Sequence, residues 1–403
     1  MAPSRAQVKA KKPSRSRPAP KKTSETVNAR QAIQDATRTL EQGDPTGAER
    51  IARVAYEHMG GSGRHAGDLL VLMGQIQVEL GAMAEARAFF LQAVEADKDR
   101  DAGAGGLGDD CVPDPDGDAD GDVGAGAAEK FLWLAQLSDE GGRDSLAWYE
   151  RGAAVLRRQM RALADGLAAR PHSRDQQLGR LEGKKRKLAE ALCAMAELHM
   201  TDLSWEAEAE PRCEALVTEA TMLAPDLADT WQTVANVRIS QGRTEDARAA
   251  LERSLELWAG LPPEDPGVPA FPTRVSLLRL LIEVGREETA VDVADRLIAE
   301  DDTSVEVWYL GAFASFRLGE RWKKEAQSKD KTDEWQTAWR LARKWLKRCL
   351  ALFAAEDYED ERLAEHATEL LGQLDEELGE AADGEDEEEV WEDEEGDGDE
   401  VMT

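Results

Sequence analysis

The sequence predicts an all-α solenoid, a stack of helix pairs, and three observations carry that expectation. The stretch "LVLMGQIQVELGAMAEARAFFLQAV" puts Leu70, Met73 and Gly74 on one helix face and Ala86, Phe90 and Ala93 on a second, with a turn near Gly81. Two short amphipathic helices joined by a tight turn cannot bury their apolar faces alone, so such units stack on one another. The spacing then recurs, as in Trp231, Val234, Ala235 and Arg238 followed by Ala247, Leu251 and Ser254. Finally, a helix from roughly Tyr358 to Leu378, with Leu363, Leu370, Leu371, Leu374 and Leu378 at helical spacing, is placed to cap the open end of the stack. A chain of 403 residues with 41% hydrophobic content has the material for such a core.

The order within each unit is a large residue, then leucine and glycine, then alanine and phenylalanine on the second helix with proline after it. That order resembles the tetratricopeptide pattern. The resemblance implies a right-handed superhelical solenoid of about seven tetratricopeptide-like helix pairs, against the competing reading of an irregular helical bundle. In chain order the weaker copies are Ala32, Asp35 and Ala36 with Ala48, Ala52 and Ala55; Phe131, Leu134 and Ala135 with Ala147, Arg151 and Ala154; and Leu277 and Leu278 with Ala290, Ala294 and Leu297. Two copies are stretched between their helices: Leu192, Met195 and Ala196 to Cys213, Val217, Ala220 and Pro225, and Val307, Leu310 and Gly311 to Ala342, Leu346 and Cys349.

Composition sets the boundaries. Residues 1–26 read as a disordered basic arm, 27–98 as the first repeats, 99–127 as a disordered acidic insertion, 128–378 as the remaining repeats and the capping helix, and 379–403 as a disordered acidic tail. The proline-rich "LPPEDPGVPAFP" between Leu261 and Pro272 is expected as an extended inter-repeat linker.

Most catalytic and ligand chemistry is disfavoured. "GAGGLG", at Gly103, Gly105 and Gly108, has neither the preceding strand nor the following helix that phosphate binding requires. Asp116, Asp118, Asp120 and Gly121 mimic a calcium loop, but Ala127 stands where the bidentate Glu belongs. The five histidines form no short ligand motif, and no G-x-S-x-G nucleophile turn occurs. The expectation is a non-enzymatic protein with no cofactor and no metal. Cys111, Cys193, Cys213 and Cys349 lie far apart, which points to a reducing compartment rather than a disulfide framework. With no run of eighteen apolar residues and no apolar stretch after the basic N-terminus, a soluble intracellular protein without a membrane partner is expected.

Charge points to the partner. The formal net charge is −32, and taking away the +8 of residues 1–22, the −8 of 101–122 and the −14 of 379–403 leaves about −18 on the helical body. Such a body repels phosphate backbones, so direct nucleic-acid binding is disfavoured. Two places before the start of the pattern come Asp68, Glu129, Glu190 and Asp229 in four consecutive units, and further along the same helix face come Gln75, Gln136, Glu197 and Asn236. These eight residues read as an acid- and amide-rich groove for a basic peptide, although acids also favour first helical turns through the helix dipole alone. A clamp for an acidic chaperone C-terminus would need Lys and Asn on that face, where only Asn236 suits.

The two ends complete the pattern. Lys11, Lys12, Arg15, Arg17, Lys21 and Lys22, spaced by Pro and Ser, form a basic run of nuclear-import type, with a merely solvated arm as the competing reading. "KKRK" at 184–187 matches too, but heads a predicted helix and reads as a solvated face. Trp391 within the acidic tail offers a stacking face for a client Arg or an apolar anchor. The tail is expected to sample the basic helix bearing Arg340, Arg343, Lys344, Lys347 and Arg348 only loosely.

The basic arm, the Asp-rich insertion, the "WYLGAFASFRLGE" unit and the "EDEEEVWEDEE" tail together resemble the fungal family of dedicated assembly chaperones of large-subunit ribosomal protein four. The resemblance implies capture of the client's long internal loop, passage with it into the nucleus through an import receptor, release at the pre-ribosome, and residence in nucleus and cytoplasm. A nuclear histone chaperone and a general tetratricopeptide co-chaperone or scaffold remain the alternatives.

Overall fold

The computed structural model describes residues 22–58, 65–103, 126–169, 174–326 and 334–379, and among them are fifteen helices and no strand. The chain divides into two compact units, residues 1–181 and 182–403. None of the described helices is long and apolar enough to cross a membrane.

The first unit contains α1 (Lys22–Glu41), α2 (Pro45–His58), α3 (Ala66–Glu79), α4 (Met83–Gly103), α5 (Gly126–Gln136) and α6 (Gly142–Ala169). Ala36, Ala48 and Ala52 pack with Leu69, Leu72, Met73 and Ile76 in one core cluster, while Leu70, Ala86, Phe90, Ala93 and Leu134 form the next. The small residue at Gly74 is required there, because a β-carbon would lie 2.5 Å from Phe90 Cε1. Helix α1 starts at Lys22, inside the stretch assigned to the basic arm, and α4 and α5 reach Gly103 and back to Gly126 at the edges of the acidic insertion.

One expected register is corrected. Of the α6 positions assigned inward, Ala147, Arg151 and Ala154 are exposed, and Ser145, Tyr149, Gly152 and Ala153 are buried instead. From Ala135 of α5 to buried Ser145 of α6 is ten residues, against twelve from Gly74 to Ala86 in the α3–α4 unit, so the second helix's inward face falls two positions earlier even though the turn after α5 is the longer one. A β-carbon at Gly152 would stand 2.7 Å from Leu132 Cδ2, so Gly152 fills the close-contact place predicted for a different residue.

Helix α7 (Arg174–Met200) begins in the first unit and ends in the second, so "KKRK" lies within the helix and not at its head. The second unit continues with α8 (Ala209–Leu223), α9 (Ala228–Ser240), α10 (Thr244–Glu256), α11 (Phe271–Glu283), α12 (Glu287–Glu300), α13 (Val305–Ala326), α14 (Glu334–Ala355) and α15 (Glu361–Leu378). Ala196, Cys213, Val217, Ala235, Ala247, Leu251, Leu277, Leu278, Ala290, Ala294, Leu310 and Leu346 lie buried in one apolar core, at the positions the repeat pattern assigns inward. In the second stretched unit α13 and α14 are 22 residues each and pack on one another along their added turns: Ser315 Oγ donates to the Ala338 carbonyl at 2.8 Å, and Trp339 Nε1 donates to the Phe316 carbonyl at 3.1 Å.

The proline-rich segment is folded into turns rather than extended. Asp265 N–H donates to the Pro262 carbonyl at 3.0 Å and Val268 N–H to the Asp265 carbonyl at 2.9 Å, while Phe271 and Pro272 already form the first turn of α11, where proline's missing N–H costs nothing. Arg296 holds the segment by donating to the Ala259 and Leu261 carbonyls at 2.8 and 2.5 Å. The capping helix starts three residues later than expected, because Asp360 accepts from the N–H groups of Arg362 and Leu363 at 3.1 and 3.3 Å and so sets its N-terminus. Its Ala367, Leu370 and Leu374 enter the core of the second unit.

Candidate functional site

Helices α7 and α9 are the first helices of consecutive pairs and lie side by side, since the Cys193 thiol of α7 meets the Thr233 and Thr230 hydroxyls of α9. Burial pushes that thiol's pKa up to about 11, which makes Cys193 a packing residue rather than a nucleophile. Glu190 and Glu197 sit about one turn to either side of Cys193, and Asp229 and Asn236 flank Thr233 in the same way on α9. All four side chains reach solvent at least in part.

The surroundings of these acids work against their charge. Burial among neighbouring protein pushes the Glu190 carboxyl above its ordinary 4.5, the nearby Asp229 charge adds to this, and Lys187 and Arg186 offset only part of it. Burial likewise raises Glu197. A raised carboxyl near another acid and near solvent is a place where an arriving cation relieves a cost already present in the free protein.

The acidic character changes beyond α9. The α11 position matching Glu197 and Asn236 is Arg279, and it pairs with Glu306 of α13. On the remaining face of α13, Tyr309 Oη lies 2.7 Å from His366 Nδ1 of α15, with Phe313 stacked on Tyr309 and edge-on to His366. Other acids of this unit already have partners: Glu214 accepts from Arg238, whose hydrogen bond is the main cause of its lowered pKa, and Glu300 is lowered chiefly by its bond from Arg274.

In the first unit, the four expected residues fall on α3 and α5, which contact one another. Asp68 of α3 lies 3.3 Å from His65 Nδ1, Gln75 and Glu129 are partly buried, and Gln136 of α5 is exposed. The structure therefore brings Glu190 close to Asp229 and sets Asp68, Gln75, Glu129 and Gln136 on adjacent helices of the first unit. Trp391, Lys11, Lys12, Arg15, Arg17 and Lys21 lie outside the described residues, and Lys22 is the first residue of α1. Asp116, Asp118 and Asp120 also lie outside them, and among the described residues no group of three His, Cys, Asp or Glu is arranged to hold a metal.

Sequence reading passed over Trp205. It is 71% exposed in the acid-flanked turn "DLSWEAEAE", with its indole N–H donating to the Asp202 carbonyl at 3.0 Å. The signal was a Trp among acids, the pattern that drew attention to Trp391.

Stacked helix pairs exposing acid and amide side chains define a protein of the tetratricopeptide type, and residues 67–100 match the tetratricopeptide repeat family. Over 387 residues the chain is 41% identical to a probable assembly chaperone of rpl4 from Emericella nidulans, covering 93% of this chain and 90% of that one. It is 29% identical over 311 residues to a probable assembly chaperone of rpl4 from Schizosaccharomyces pombe, covering 77% and 81% of the two chains. A solved structure of residues 1–338 of an assembly chaperone of RpL4, Acl4, superposes with a TM-score of 0.65 at 57% identity, covering 74% of this chain and 99% of that one. The chain belongs to the family of assembly chaperones of rpl4.

Proposed function

We propose that this chain binds a newly made, basic rpl4, keeps it soluble and accompanies it to the nucleus, with no catalysis of its own. The observation that carries the binding role is the α7–α9 face, where Glu190 lies close enough to Asp229 to feel its charge and burial raises the carboxyls of both Glu190 and Glu197, two turns apart on α7. Lys and Arg side chains of the client supply the missing counter-charge, and Asn236 supplies an amide for its backbone. The relatives' names supply the identity of the client, and the acidity of the chain fits a cationic one. Trp391 and the acidic tail add a second contact that favours encounter, while Lys11, Lys12, Arg15, Arg17, Lys21 and Lys22 engage an import receptor.

Isothermal titration of the full chain with rpl4 tests the binding face. Replacing Glu190→Lys together with Glu197→Lys should weaken binding by a hundredfold or more, taking roughly 2 to 5 kcal/mol for truncating or reversing buried interfacial charge pairs. A double variant with unchanged circular dichroism and unchanged affinity moves the binding face elsewhere. Mass-spectrometric identification of proteins captured from nuclear extract separates rpl4 from histones as the client.

A further inference from the structure

We propose that the basic face of α14 is a docking surface for the chain's own acidic C-terminal segment, residues 380–403. On a chain of net charge −32, α14 carries a single acid, Glu334 at its start, against Arg340, Arg343, Lys344, Lys347 and Arg348. Its core face is Trp339, Ala342, Trp345, Leu346 and Cys349. Arg340, Lys344, Lys347 and Arg348 are exposed at spacings of four, three and one residues, which places them on one stripe of the helix.

Arg343 departs from the expected basic face, and that departure fixes where the segment begins. Its side chain is only 4% exposed, and its Nη1 donates to the Gly379 carbonyl at 3.1 Å, with the Asp375 carboxylate 3.7 Å away. The last described residue before the acidic segment is therefore tied to α14 itself. Arg340 and Lys347 lie three residues before and four after Arg343, and Lys344 is adjacent, so the segment leaves within about one helical turn of the stripe.

Charge and reach agree. Residues 380–403 contain fourteen acids and no base. The stripe from Arg340 to Arg348 is about 12 Å long at 1.5 Å per residue, whereas 24 residues of extended chain reach about 80 Å. The two arginines of the stripe keep donor capacity for more partners: Arg348 is 48% exposed with Asp302 no closer than 3.7 Å, and Arg340 reaches Gln336 Oε1 at 3.4 Å. Each exposed pair is weak, but tethering raises the local concentration of the segment into the millimolar range, so several such pairs act together. In this arrangement the tail covers the basic strip that would otherwise draw phosphate polymers, and a basic client releases it by competition.

Zero-length carbodiimide coupling of the full chain, followed by peptide mapping, tests this. Lys344 and Lys347 should couple to carboxylates of 380–403 within the monomer, and the yield should fall several-fold in about 0.5 M NaCl, where screening is short-ranged. It should also fall several-fold in an Arg340→Glu, Arg348→Glu variant, which keeps both lysines; Arg340→Gln, Arg348→Gln serves if the reversal unfolds the helix. The proposal is overturned if tail carboxylates couple equally to lysines off α14, such as Lys184 or Lys324, or if neither variant lowers the yield. Coupling confined to the dimer band overturns it too and assigns the stripe to a second copy.

Discussion

At Gly319 a β-carbon would stand 2.1 Å from Trp339 Cδ1, and at Gly311 it would stand 2.6 Å from Trp345 Cζ3. Both glycines let α13 approach the large aromatics of α14. Gly319→Ala should destabilise by about 1 to 3 kcal/mol, the usual cost of overfilling a packed core. Gly372→Ala, in α15 with open space around it, should instead stabilise by about 0.5 to 1 kcal/mol, since helical glycine costs that much relative to alanine. Urea denaturation of the two variants checks the opposite signs. Gly74 and Gly311 were legible because they fall at the small-residue place of the repeat. Gly319 was not, because it lies in the part of α13 beyond that pattern, where only the facing Trp339 explains it. Trp205 was equally legible as a letter among acids, but its exposure required coordinates.

Among the elements, four turns repeat one device that sequence reading used only once. At Gly43, Gly81, Gly242 and Gly285 the backbone has positive φ, and the following N–H reaches the carbonyl five residues back at 2.8 to 3.1 Å. These Schellman turns close the first helices α1, α3, α9 and α11 and spare each the strain a side chain would meet in that conformation. The α5–α6 register was misread because α5 ends early relative to the repeat, at Gln136, and a fixed spacing cannot anticipate a helix-to-helix distance two residues shorter. The α11–α12 pair rests on a partner no pattern indicates: buried Arg274 donates to the Pro269 carbonyl at 2.9 Å and to Glu300 at 2.8 Å. Glu300→Gln should cost about 2 kcal/mol, below the range for breaking a fully buried pair because Glu300 is about one-third exposed. Since Arg274 holds the Glu300 carboxyl below its ordinary 4.5, that stabilisation is complete above pH 4.5 and is lost as pH falls through the lowered value. Glu190 and Glu197 have the opposite sign: their raised carboxyls make the native state hold protons more tightly, so stability is lost as pH rises from 4.5 through their raised values and changes no further on their account above that. Denaturation of wild type and Glu300→Gln between pH 3 and 7 should therefore show the Glu300 difference vanish on the acid side.

For the molecule as a whole, the sequence made the helical stack and its acidity legible, because period and charge are written locally. It did not locate the partners of its charges, which depend on which helices meet: Arg279 with Glu306, Arg274 with Glu300, and Arg343 with the Gly379 carbonyl. The basic N-terminal run differs from these, because its proposed role needs only that it be reachable by a receptor. Helix α1 starts at Lys22, so the cut that spares the fold is after residue 21 rather than after residue 22. A chain lacking residues 1–21 loses seven of the eight N-terminal bases but no residue of α1, so its far-ultraviolet circular dichroism and thermal midpoint should match those of the full chain. As a fluorescent fusion it should enter the nucleus several-fold more slowly, and returning the 21 residues to its N-terminus should restore the rate. If the shortened, folded chain accumulates in the nucleus as fast as the full one in cells depleted of rpl4, so that no client carries it, the basic run is a solvated arm and import is read from another surface.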